Sequence, residues 1–93
     1  MFDYQVVKND LEKLHQEASP LEGYFKEQAA EFIDVGEYSL ALDTIASAYL
    51  SNNLRMPADL FAIFDHLAQV MELGNDPEFD GVAKLRAFQG TPL

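Results

Sequence analysis

Apolar residues recur along most of the chain at the three-and-four spacing of a helix with one buried face, and polar or helix-breaking residues punctuate the pattern. Tyr4, Val7, Leu11 and Leu14 predict a helix over 3–17. Leu21, Tyr24, Phe25, Gln28, Ala29, Phe32 and Ile33 predict a second over 20–35. Ser19 is its expected N-cap, Pro20 its first turn and Gly36 its left-handed end. A third, over 37–52, carries Tyr38, Ala41, Leu42, Ile45, Ala46 and Tyr49. Its small residues alternate with large ones, as in a central helix that neighbours approach from more than one side.

Pro57 and Asp59 open a fourth helix over 57–73, with Leu60, Ile63, Phe64, Leu67, Ala68 and Met71 inward and Gly74 as its stop. Asp76 and Pro77 start a short last helix over 77–88, with Phe79, Val82, Leu85 and Phe88 inward and Gly81 weakening it. No stretch alternates with period two between turn signals, so no sheet is expected. The expectation is an all-α fold: residues 1–93 form a compact single-domain bundle of four helices plus a short C-terminal helix, joined by short connections. Phe25, Phe32, Leu42, Ile45, Phe64 and Leu67 are the expected core.

Composition narrows the function more than the fold. The 93 residues contain no cysteine, which removes disulfides, thiolate metal sites and thiol nucleophiles. The opening MFDYQVVKND resembles neither a secretory signal nor a transit peptide, and no apolar run reaches bilayer-spanning length, so the expected location is the cytoplasm. Sixteen acidic residues face six basic ones, a formal net charge of -10 with pI near 4.3. Such a field repels nucleic acid and anionic membranes and favours a basic protein partner. Acidity that only maintains solubility accounts for the same number.

Catalytic and metal motifs are incomplete. Asp76 to Gly81 resembles the start of a calcium-binding loop, but position twelve, which needs a bidentate acid, is Ala87. Glu12 and His15 have the E-x-x-H spacing of a di-metal bundle, yet His66 is preceded by Ala62 and Ile63 and supplies no second motif. Ser39, Ser47 and Ser51 lack a nucleophile elbow. The expectation is a protein that is not an enzyme and uses no cofactor or metal.

Glu27, Glu31 and Asp34 fall at i, i+4 and i+7 without an interleaved base, and Asp34 lies at the negative end of the helix dipole. Both arrangements oppose helix stability by a few tenths of a kcal/mol to about one. Glu37 follows across the turn and Asp43 is expected to continue along the outer face of the third helix. Asp65 and Glu72 form a second acidic line on the fourth. The seven residues are either a solvated surface or an interface for a basic partner.

The stretch Glu31 to Leu42, EFIDVGEYSLAL, continuing through Asp43-Thr44-Ile45-Ala46, resembles the small bacterial immunity proteins of the MafI type and of contact-dependent growth inhibition systems. The shared feature is a helix ending in Phe32, Ile33 and Asp34, a Gly36-Glu37 corner, and a helix beginning with Tyr38, Leu40, Ala41 and Leu42. Length and MELG, Met71 to Gly74, also agree, and the resemblance covers residues 20–75. It implies stoichiometric inhibition of a cognate toxin domain, foremost a basic ribonuclease at the C-terminus of a polymorphic toxin, without turnover. The alternative class is an acidic helical adaptor, or a nucleic-acid-mimicking regulator of another basic protein.

Overall fold

Asp3 starts the first helix: its carboxylate accepts the Gln5 and Val6 N–H groups at 3.0 and 3.3 Å. In the computed structural model, which describes residues 3–18, 21–73 and 77–90, this helix is α1 (Tyr4–Glu17). It is followed by α2 (Gly23–Asp34), α3 (Tyr38–Ser51), α4 (Ala58–Val70), a 3₁₀ turn (Pro77–Phe79) and α5 (Asp80–Gly90). The fold is all-α with a short last helix, and no strand occurs among the described residues.

Burial on α3 explains its central position. Ala41, Leu42, Ile45, Ala46, Ala48 and Tyr49 are all buried, a set too wide for one helix face. The alanines admit close neighbours, and α3 packs against α1, α2, α4 and α5. Val7, Leu11 and Leu14 of α1, Leu60, Phe64 and Leu67 of α4, and Val82 and Leu85 of α5 complete the core around it. Phe25 and Phe32, expected inside, are only half-buried and pack on the core's margin. Tyr4 and Tyr24, expected in apolar stripes, are 67 % and 71 % exposed.

Three helices end alike, by a left-handed residue that directs the next N–H back to the last turn. After α2, Gly36 has φ +81°, and the Glu37 N–H reaches Phe32 O at 2.8 Å. After α3, Asn53 has φ +53°, and Leu54 N–H reaches Tyr49 O at 3.0 Å. After α4, Glu72 has φ +58°, and Leu73 N–H reaches Ala68 O at 2.9 Å. The fourth helix therefore ends at Val70 rather than 73, and the expected stop, Gly74, lies outside the described residues. Burial of Leu73 accounts for the early end: the turn folds this side chain into the core.

The second helix also starts later than expected. Ser19 and Pro20 lie outside the described residues, and Leu21 and Glu22 precede the helix, with Glu22 extended at φ -132°, ψ 161°. Leu21 is buried before the helix begins, so it fills the core from the connection. Gln89 of α5 fastens the α3–α4 connection: its side-chain oxygen accepts the Met56 N–H, and its amide donates to Met56 O at 3.1 Å. The Arg55 guanidinium stacks over Phe88 at 5.1 Å from the ring centroid. Asp76, the expected cap of the last helix, lies outside the described residues.

Candidate functional site

The seven candidate carboxylates fall into three environments. Glu27, Glu31 and Asp34 are exposed along α2, and none is ion-paired to a base among the described residues. Asp34 also borders a shallow hollow between α1 and α2 with Lys8, Glu12 and His15. His15 ties those helices together, its Nε2–H donating to Lys26 O at 3.0 Å.

Glu37 and Glu72, from different expected lines, meet at one open groove. Its cavity volume is about 570 Å³, and it is bounded by the α2–α3 corner, the end of α4 and the 3₁₀ turn, with Tyr4 of α1 at its margin. Glu78 is a third acid on its wall. Tyr38, Leu40, Met71 and Phe79 supply apolar surface, and the Tyr4 and Tyr38 rings lie tilted at 45° with centroids 6.4 Å apart. Ser39 Oγ–H donates to Met71 Sδ at 3.9 Å, joining the start of α3 to the end of α4. Glu72 reaches the groove through the left-handed turn after α4.

Asp43 and Asp65 have structural partners instead. Asp43 does not continue an outer ridge: it is half-buried against α5, and its Oδ1 accepts the Val82 N–H at 3.3 Å. A Gly81 N–H bond also acts on this carboxylate. Burial foremost raises its pKa above the usual aspartate value; the two N–H groups oppose the rise, Asp80 adds to it and Lys84 opposes it. Asp43 thus caps the first turn of α5 from a neighbouring helix. Asp65 accepts from Arg86 of α5 at 2.9 Å and from the Gln69 amide at 2.8 Å, which neutralises the expected second acidic line at its start. Both corrections arise because α5 lies alongside faces that the sequence pattern treats as open.

No group of three or more His, Asp or Glu side chains is arranged to hold a metal ion among the described residues. Carboxylates without an ion pair among the described residues run along α2, and aromatic and apolar surface lies at its C-terminal end. Comparison of the chain with family models, curated proteins and solved structures finds no match. Among the described residues no helix is long and apolar enough to cross a membrane.

The groove itself was not legible in advance. Tyr4 belongs to an apolar stripe that predicts an inward side chain, and in the sequence Glu37 reads only as part of a corner. The available signal was aromatic residues at two helix starts, Tyr4 and Tyr38, each beside an acid, Asp3 and Glu37.

Proposed function

We propose that the protein is an immunity protein that binds a cognate basic toxin one to one and neutralises it in the cytoplasm. The toxin is foremost the C-terminal ribonuclease domain of a contact-dependent growth inhibition or similar polymorphic toxin. The observation that carries this reading is the run of Glu27, Glu31 and Asp34 along α2, continued by Glu37 across the corner: all four are exposed and lack an ion pair among the described residues. The helix carries its acids against its own local preference, which an interface for a cationic surface explains. Glu31 to Leu42, the stretch resembling immunity proteins, spans the same corner.

The mechanism is occlusion. A ribonuclease needs a cationic surface to hold phosphates, and carboxylates laid over that surface exclude RNA by charge and by volume. The chain's net charge of -10 accelerates the encounter, and close carboxylate–base pairs retain the complex. Inhibition by this route requires one protein per toxin.

Co-expression with the adjacent open reading frame, scored by growth and co-purification, tests the reading. Growth rescue with a one-to-one complex is expected, and neither rescue nor co-purification would overturn it. The double reversal Glu31→Lys/Asp34→Lys should slow association by roughly 10–100-fold and flatten its salt dependence while leaving helicity intact. Unchanged association would remove α2 from the interface.

A further inference from the structure

The groove at the α2–α3 corner differs from the α2 ridge in having aromatic and apolar walls. Tyr4 and Leu40 are 67 % and 38 % exposed there, beside half-buried Tyr38, Met71 and Phe79, so apolar surface stays in water within reach of carboxylates. An exposed apolar patch bordered by charge is the usual composition of a protein contact, with tyrosine among its strongest anchors. The charge selects the occupant. A second copy of this acidic chain would bring like charges together, and a purely apolar segment would strip water from Glu37 and Glu72 without replacing it.

We propose that the groove receives an arginine side chain from the basic partner, with the guanidinium set against Tyr38 and Tyr4 and hydrogen-bonded by Glu37 and Glu72. The proposal rests on the reading of that partner as a basic protein. Arginine fits better than lysine: its planar, weakly hydrated cation stacks on aromatic faces, and its five donors serve two carboxylates at once. The groove's volume of about 570 Å³ leaves space for chain flanking the side chain as well. The α2 ridge then supplies long-range attraction, while the groove fixes orientation by shape and hydrogen bonding.

Titration with N-acetylarginine methylamide, followed by two-dimensional amide NMR, tests the groove without the toxin. Saturable shifts are expected at Gly36, Glu37, Tyr38, Met71 and Glu72. The uncharged N-acetylcitrulline methylamide should produce none. In the variant Glu37→Gln/Glu72→Gln, arginine affinity should fall at least about 10-fold. Equal shifts with citrulline, absence of saturable shifts at the groove, or shifts spread evenly over the acidic surface would each overturn the proposal.

A second arm uses the purified toxin domain. Glu37→Gln/Glu72→Gln and Tyr38→Leu, each checked for native helicity, should accelerate dissociation by roughly 10–100-fold. If both variants bind the toxin as the wild type does, the groove proposal falls and the immunity reading stands. If arginine occupies the groove but the toxin neither binds nor is neutralised, the immunity reading falls and the groove's chemistry stands.

Discussion

Ile45→Ala is expected to destabilise the protein by roughly 2–5 kcal/mol, a large share of the 5–15 kcal/mol typical of a domain. Ile45 is completely buried in α3, the helix against which all the others pack. Deleting three of its carbons loses their transfer free energy and leaves a hole. Closing that hole would require α3 to move relative to several neighbours at once, so the cavity persists. Urea unfolding followed by circular dichroism should show the loss as a lower midpoint with an unchanged slope. Ile45→Val should cost only about 0.5–1.5 kcal/mol, because it removes one methyl group. Tyr24→Ala, at a side chain 71 % exposed, should stay within about 0.5 kcal/mol of wild type. A loss below about 1 kcal/mol for Ile45→Ala would mean that the surroundings collapse into the space and that α3 is not a rigid hub.

The same position shows why the architecture was readable from sequence. On α3 the helical period and the mixture of small and large residues both described packing, and burial of Ala41, Ile45 and Ala48 agrees with them. Helix ends were less readable because they depend on tertiary contacts. Gly36 announced its turn, since glycine occupies the left-handed region without a Cβ penalty. Glu72 gave no such signal: glutamate is a poor left-handed residue, and only the burial of Leu73 selects that conformation. Leu21 likewise matched the α2 period while being buried from the preceding connection.

For the candidate site, periodicity placed the carboxylates on helix faces but could not say what else would cover those faces. Glu27, Glu31 and Asp34 remained outward because, among the described residues, no element packs over them. Asp43 and Asp65 were claimed by α5, whose position is set by Val82 and Leu85 entering the core. The groove combines residues from the start of α1, the α2–α3 corner, the end of α4 and the 3₁₀ turn. Such an assembly exists only after the chain has folded, so no local pattern encodes it.

The α3–α5 crossing carries the second large effect, because it joins a cap to a close approach. Gly81→Ala is expected to destabilise by roughly 1–3 kcal/mol, although alanine is the better helix former by about 1 kcal/mol. An added Cβ would lie 2.7 Å from Asp43 Oδ1 and 3.2 Å from Ser47 Oγ. Either α5 moves away from α3, or the carboxylate rotates and releases the Gly81 and Val82 N–H groups. Asp43→Ala removes the cap at a cost of about 0.5–2 kcal/mol, but it also clears the space. In that background Gly81→Ala should gain stability by up to about 1 kcal/mol, so its effect changes sign. Additive changes in the four-protein cycle would show that the two residues do not interact. Asp43→Asn retains an acceptor without the buried charge and should cost less than Asp43→Ala. Because burial raises the folded pKa of Asp43, its stabilising contribution is full below the unfolded value and is lost as pH rises through the folded value. Asp43→Asn should therefore gain relative to wild type as pH rises through that window, whereas an unchanged difference would contradict the raised pKa. On the proposed immunity function, any loss of toxin protection in Asp43 variants is expected to follow lost stability, and restoring stability elsewhere should restore it. On the same proposal, reversal at Glu31 and Asp34 should instead reduce protection while stability stays within about 0.5 kcal/mol, which would separate residues that build the corner from residues proposed to meet the partner.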